Sequence, residues 1–489
     1  MILKFTDMTK VYERLNTKMD VPKDILEFHK LYKNAGFKLF VVGGAVRDFL
    51  LGKVPHDFDL VTNALPEESL EILKDYRTDV HGAKFGVVRV YTEDEPMGYE
   101  IAPYRKDISR GRDTKGNDQK VELGKHLTVK DDVKRRDLTV NALFYDLDNN
   151  QIVDVVGGVR DLENNVIRAV GVPQKRFNED RLRILRTIRF AAVMGGEIDK
   201  ETSEAIKRDN RLFGISPEDD VSRERIFLEF LKVKEKAREN NDPAIVTRFI
   251  DLLIDYDILK QIFPVLVATK SIRSTSYLSV GLAQTLRNNI PDETFRQTLL
   301  DAKIHGKYVD IIIFLLKILR HGVNPSNVYD LYREMKSKEV RPDILQEWIK
   351  VMSISDPMVI AFLHYSPSTS GQDVMKDGFK RHEIGEEIKR REGEKFKKLV
   401  DTMNERNILK FNQFLNESVN NMDELEKLRK ENPEFTFNLK KIPNYENKYH
   451  CNVYKEDKYI GGVRGSVRYE DGIDFFKNLV RNHNEENRL

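Results

Sequence analysis

The chain has 489 residues, room for ~3 domains of ordinary size with sizeable cores. Lys+Arg at 82 against Asp+Glu at 80 leaves a net charge of +2, so a polyanion site must come from local clustering and not from overall charge. The single cysteine, Cys451, excludes an internal disulfide framework and a Cys-based zinc site, and neither an apolar leader in the first twenty residues nor a membrane-length stretch is present (the longest apolar run is Ile311 to Leu316). The expectation is a soluble, cytoplasmic protein of a reducing compartment with no membrane partner.

In chain order, the polar first 33 residues predict a short helical extension. FKLFVVGG, from Phe37, is an apolar run stopped by two glycines and predicts a strand; GAVRDFLLG then opens a helix and PHDFDLVTN a second strand. FGVVRVYT and GYEIAPY predict further strands, 106–120 a charged loop, and the pieces around NALFYDL and QIVDVVGG close an α/β unit near residue 155. After FNEDRLRILRTIRFAAVMGG strand signals nearly vanish. ETSEAIKRD, RERIFLEFLKV and VDIIIFLLKILR carry apolar residues at helical spacing, and the charge-rich 380–432 reads as solvated helices. The last segment, with EFTFNLKKI, YHCNVYKEDKYIGG and GSVRYEDGI, predicts hairpins, its Gly461-Gly462 pair being most simply a turn. The fold class is thus α+β: a β-sheet head (34–155), a helical neck (156–235), a helical body and tail (236–432) and a small β-containing module (433–489).

Four clusters carry the candidate chemistry. In HDFDL, Asp57 and Asp59 are two apart and share a strand face, where two carboxylates repel unless a cation lies between them; a solvated turn is the alternative. Upstream, Gly43-Gly44 and AVRD let the backbone approach a ligand at a helix start. Arg47 in that first turn opposes the helix dipole, which a phosphate would explain, whereas a plain strand–turn–helix corner needs no ligand. Arg135, Arg136 and Asp137 precede an apolar run: Asp137 can cap a helix, and the two arginines can hold phosphate or ribose. In EDRLRILRTIRF, Asp180, Arg183, Arg186 and Arg189 fall three apart on an arc of about 180° of one helix. Without interleaved acids the three arginines would repel, which favours an anionic ligand over a solvated basic face.

Taken together, VVGGAVRDFLLGKVPHDFDLVT, RRDLTVNALFYD, IVDVVGGVRDLENNVIRAVG, RFNEDRLRILRTIRFAA and SRERIFLEF, in this order between about 35 and 235, resemble the class II tRNA nucleotidyltransferases (CCA-adding enzymes) and the related bacterial poly(A) polymerases. The resemblance implies a head of polymerase-β type and a template-independent RNA nucleotidyltransferase that adds CCA to tRNA from CTP and ATP, with Mg2+ as cofactor and tRNA as partner. It implies that Asp57 and Asp59 bind metal, with Glu100 as a third acidic position. Gly44, Arg47, Arg136 and Asp137 would contact the nucleotide's phosphates and ribose. Asp180 and Arg183 would read the base, with Arg186 and Arg189 on nucleotide or primer end. The implied chemistry is physically sound: a primer 3′-hydroxyl attacks the α-phosphate, two Mg2+ ions on the aspartates lower its pKa and neutralise the leaving pyrophosphate, and an Asp accepts from the amino group of C or A but faces an unpaired carbonyl in U or G.

Two departures, Arg181 where Pro or Ala is common and Ala102-Pro103 where threonines are, remove no assigned side chain. The long 106–120 loop favours addition of the final A. The one His-Asp dipeptide, His56-Asp57, belongs to the catalytic strand, so no hydrolase domain is expected. The runner-up is a poly(A) polymerase; a remote alternative is a catalytically idle RNA-binding protein, against which Asp57 and Asp59 argue. The helical half is expected to hold tRNA through its phosphates, although the basic run 389–398 reads first as a solvated helix face.

Overall fold

The structure, a computed structural model, describes residues 11, 14–15, 17–55, 57–81, 86–108, 120–215, 220–271, 273–286, 291–403, 435–441, 449–455 and 458–467. It divides into two compact units, residues 1–320 with 337–352 and residues 321–336 with 353–489.

The first unit begins with helix α1 (Lys23–Asn34), whose Ile25, Phe28 and Tyr32 recur at helical spacing and are buried. They enter the same core as strand residues of the head, so this stretch is part of the head's packing and not an appendage to it. The sheet comes next: β1 (Leu39–Val42), helix α2 (Gly44–Leu50), β2 (Asp59–Thr62), helix α3 (Pro66–Ile72), β3 (Arg77–His81), β4 (Val87–Tyr91) and β5 (Tyr99–Pro103). A separate hairpin, β6 (Arg105–Ile108) with β7 (Lys120–Leu123), leads to helix α4 (Val129–Lys134), and β8 (Phe144–Asp146) and β9 (Gln151–Val153) complete the sheet. Its order is β3-β4-β5-β2-β1-β8-β9, antiparallel except for β2 beside β5. Alternation along the strands builds two cores. Leu39, Val41, Leu60 and Ile101 face α1 and α2, while Phe40, Val42, Val61 and Phe144 face Tyr104, Leu127 and Val133. The predicted loop 106–120 is partly strand, with Lys106 paired to Glu122; residues 109–119 lie outside the described set.

Beyond the sheet come α5 (Gly158–Glu163), the short parallel pair β10 (Val166–Ile167) and β11 (Glu197–Ile198), and between them α6 (Pro173–Glu179) and α7 (Leu182–Met194). Next are α8 (Lys200–Arg208), α9 (Arg223–Glu239) and α10 (Ala244–Asp255). Ile184, Leu185 and Ile188 bury one side of α7. The edge-to-face pair Phe230–Phe249, 5.0 Å between centroids, joins α9 to α10, and Arg248 donates to the Ala192 carbonyl at 2.9 Å to tie α10 to α7. More helices complete this unit, ending with Pro342–Met352, whose Trp348 is fully buried.

In the second unit, residues 381–403 are helical as expected, but one side is internal: Glu392 and Phe396 are buried, and Glu392 accepts from Tyr365 Oη at 2.8 Å and from the Thr369 N–H at 2.7 Å. Residues 404–432 lie outside the described set. The C-terminal strands Phe435–Lys441, Tyr449–Lys455 and Lys458–Val467 form one antiparallel sheet. Gly461-Gly462 is not the turn: both lie within the third strand, opposite Val453 and Asn452, beside a register shift, and the reversal falls between paired Lys455 and Lys458. Glycine in a strand commonly marks such an irregularity.

Candidate active site

Antiparallel pairing of Val42 with Asp59 sets the end of β1 beside the start of β2. Asp59 alternates with Leu60 and so lies on the face of Val61. Asp57, two residues earlier and before the strand proper, lines the same cavity. Burial in the cleft, then the Asp57 charge, push the Asp59 carboxyl up to about 6, with Glu100 adding to the push and Arg136 opposing it. The Glu100 side chain is outside the cavity lining and pairs with Arg89. Its charge reaches Asp59 because β5 runs parallel to β2 with Ile101 opposite Leu60.

The turn after β1 depends on Gly43 and not only on Gly44. Gly43 has φ 72° and ψ −123°, a conformation costing an L residue roughly 1–3 kcal/mol. A Cβ there would point at Arg136 (3.6 Å) and Asp59 (3.9 Å). Gly43→Ala is therefore expected to lower kcat/KM at least about tenfold by shifting the turn. Gly44→Ala, whose Cβ meets only Arg47 at 3.7 Å, should be milder. Steady-state kinetics of the pair checks this.

Arg47 extends from α2 over the Phe190 ring, 5.3 Å from its centroid. It donates to Asn141 Oδ1 at 2.6 Å and to Asp48 at 2.8 Å. The cation in the first helical turn is thus neutralised by protein groups. Arg135 and Arg136 converge on Asp132, fully buried one turn earlier on α4, at 2.6 and 3.0 Å. Burial, despite Asp132, pulls the Arg135 guanidinium down to about 10. Burial alone would raise the Asp132 carboxyl, but Arg135 and Arg136 hold it below its ordinary value. Asp137 caps no α-helix, since the next element is a single 3-10 turn (Thr139–Asn141). Its buried carboxylate accepts from its neighbour's N–H (Leu138, 2.8 Å) and from Arg186 (2.6 Å).

The α7 face differs from the sequence expectation in two respects. Arg183, Arg186 and Arg189 do share the helix, but Asp180 precedes it, in extended backbone (φ −154°, ψ 109°) between α6 and α7. Nor are the arginines without acids. Arg183 pairs with Glu179, Arg186 with Asp137 and Arg189 with Glu229 of α9, each at 2.6 Å. Burial still pulls Arg189 below its usual value, whereas Arg186, against the effect of burial, is raised by Asp137. Asp180 and Arg183 bind other groups: Asp180 accepts from Arg225 at 2.8 Å, and Arg183 donates to the Arg135 carbonyl at 2.8 Å.

These side chains line one cavity of about 610 Å3. It gathers every sequence-predicted residue except Glu100: Gly44, Arg47, Asp57, Asp59, Arg136, Asp137, Asp180, Arg183, Arg186 and Arg189. Residues that sequence reasoning left out also line it, among them Asn141, Phe190, Arg225, Glu229, Lys232 and Lys236. Nine cations against six carboxylates give a surplus of three positive charges, suited to a polyphosphate. Among the described residues no group of three or more His, Cys, Asp or Glu side chains is placed to hold a metal, and no helix is long and apolar enough to cross a membrane.

Residues 39–168 match the poly(A) polymerase head domain family. The chain is 39% identical over 211 residues to the CCA-adding enzyme of Ligilactobacillus salivarius, covering 43% of this chain and 49% of that one. It is 31% identical over 278 residues to poly(A) polymerase I of Escherichia coli, covering 56% of each. The chain thus spans about half the length of these curated relatives. Among solved structures it is similar to the Bacillus stearothermophilus CCA-adding enzyme in complex with CTP (TM-score 0.54, 21% identity, 80% of this chain and 99% of that one). It is also similar to the Thermotoga maritima CCA-adding enzyme complexed with tRNA (TM-score 0.52, 19%, 80% and 97%). At these identities the likeness is one of fold, an α+β nucleotidyltransferase fold. In sequence the chain is similar, over the stretches given, to both CCA-adding enzymes and poly(A) polymerases.

Proposed function

We propose that the protein is a template-independent RNA nucleotidyltransferase that adds CCA to tRNA 3′ ends from CTP and ATP. The observation that carries this is the meeting, in one cationic cavity, of the head's Asp57 and Asp59 with Asp180 and Arg183, more than a hundred residues later. The reaction makes a bond from the primer 3′-oxygen to the α-phosphorus and breaks the α–β phosphoanhydride, releasing pyrophosphate. Arg47 and Arg136, beside the Gly43 turn, face the space for the triphosphate, and Asp137 fixes Arg186 toward it. Asp180 accepts from the amino group of C or A, and Arg183 donates to a ring acceptor. U and G present a carbonyl to Asp180 and are rejected.

The donor set suits Mg2+, which takes one or two carboxylates plus phosphate oxygens: two aspartates share the cavity, and their mutual repulsion is the kind a cation relieves. When bound, the ion lowers the pKa of the attacking hydroxyl and neutralises the leaving group. Glu100 is assigned a supporting electrostatic role, since Arg89 holds its carboxylate. A poly(A) polymerase uses the same carboxylates and cavity. The higher identity to a CCA-adding enzyme, 39% against 31%, favours CCA addition.

The test is extension of a tRNA transcript ending just before CCA, with Mg2+ and each NTP, resolved at single-nucleotide length. Two C's, one A and a stop is the expected product; a long A ladder without CTP use selects the alternative. Asp180→Ala is expected to extend the same transcript with U or G at least about tenfold more readily relative to C or A, and an unchanged preference would remove Asp180 from the reading role.

A further inference from the structure

We propose that Arg225, at the start of α9, is a positioning residue that enforces base selectivity by holding the Asp180 carboxylate in one orientation; this rests on Asp180 being the base-reading carboxylate. Asp180 lies between two helices in extended backbone, its N–H on the Arg176 carbonyl at 3.4 Å and its carbonyl accepting from the Arg183 N–H at 3.0 Å, so its main chain is held but its carboxylate is not thereby oriented. Among the described residues, two hydrogen bonds hold its side chain: the Leu182 N–H to Oδ1 at 3.1 Å and Arg225 Nη2 to Oδ2 at 2.8 Å. A carboxylate offers about four lone-pair directions, so with each oxygen tied once, others stay available to an amino group. Rejection of a carbonyl is more demanding. It requires that the carboxylate cannot turn aside when an acceptor is brought against it, and without Arg225 one oxygen is released to do so.

The geometry of α9 supports this assignment. Its first turn is anchored by Ser222, whose Oγ accepts from the Arg225 N–H at 3.3 Å. One turn on, Glu229 grips Arg189 at 2.6 Å. Arg225 and Glu229 therefore clasp the two ends of the α6–α7 reading face with pairs of opposite polarity. The pairs differ in burial. Glu229 is 1% exposed, so its removal would strand a buried cation, while Arg225 is 46% exposed and Asp180 30%, so cutting that pair should leave the fold standing.

The experiment measures kcat/KM for CTP, UTP, ATP and GTP with the full chain and the same tRNA transcript, for wild type, Arg225→Ala, Arg225→Lys, Asp180→Ala and the Arg225→Ala/Asp180→Ala double variant. In Arg225→Ala the CTP:UTP and ATP:GTP ratios are expected to fall about tenfold, the order for a polar discriminating contact that is loosened, with use of UTP and GTP rising. Arg225→Lys should restore most of the discrimination, and adding Arg225→Ala to Asp180→Ala should change the ratios less than about twofold, because one residue acts through the other. Equal loss with all four nucleotides, a full effect in the Asp180→Ala background, or a lower KM for CTP at unchanged ratio would each overturn the proposal. The failure of the parent reading looks different. Wild type without preference between C and U or between A and G overturns both, whereas an A ladder overturns CCA addition and leaves the ATP:GTP ratio to decide the role of Arg225.

Discussion

Asp57→Ala and Asp59→Ala each lower nucleotide addition by about a thousandfold or more, without loss of tRNA binding and without a lower Tm. The rate effect follows from the proposed role, because a carboxylate-held cation contributes several kcal/mol of transition-state charge stabilisation and about 4 kcal/mol is a thousandfold. The stability effect follows from the structure. The Asp59 carboxyl is pushed up to about 6 by burial and by Asp57, so in the free protein the ionised pair is a source of repulsion and not of cohesion. Removing either carboxylate relieves that repulsion, and the melting temperature should hold or rise. Single-turnover extension, filter binding of the tRNA and thermal unfolding of the same preparations check the three parts. A variant that loses activity together with its fold would place Asp59 among the structural residues instead. Glu100→Ala should cost much less than either, since that carboxylate is held by Arg89 outside the cavity lining.

Much of the head was legible because its strands are apolar runs bounded by glycine and its cavity residues lie in short contiguous motifs. Strand β3, RTDVH, lacks an apolar alternation and sits at the sheet edge, so its sequence carries little signal. The site's residue types were legible, but its pairings were not, because partners lie far apart in the chain: 49 residues for Asp137 and Arg186, 40 for Arg189 and Glu229, 94 for Arg47 and Asn141. For this reason the α7 arginines do not repel for want of acids, as their spacing alone suggests: the acids arrive from α6, α9 and the turn after α4. Two of the missed partners did leave a local signal. Glu179 stands four before Arg183, and Asp132 stands three and four before Arg135 and Arg136, the spacings at which helical side chains meet.

Asp132 carries the largest expected effect on stability, although it does not line the cavity. It is fully buried and neutralises two guanidiniums that are themselves only 13% and 15% exposed. Breaking such a pair leaves charge uncompensated in the interior, which costs roughly 3–5 kcal/mol, and here two like charges would be left side by side. Asp132→Ala is therefore expected to lose about that much in urea unfolding, and to bind nucleotide poorly even when folded, because Arg136 then loses the carboxylate that orients it and keeps the weaker contacts with the Asn141 carbonyl (3.4 Å) and the Phe144 ring. Asp132→Asn separates the contributions: its amide oxygen can still accept from one arginine, so it should keep part of the nucleotide affinity while losing the charge compensation. The pH dependence has a definite sign. Asp132 is held below the ordinary carboxylate range by Arg135 and Arg136 acting against burial. Its contribution is complete at neutral pH, where the unfolded chain's aspartate is also ionised, and is lost only as acidification passes below that range toward the depressed folded value. Wild type should thus show an acid limb of destabilisation that is flattened in Asp132→Asn. An identical limb in both proteins would mean that Arg135 and Arg136 are balanced by other groups and that Asp132 is not the hub of the phosphate side of the site.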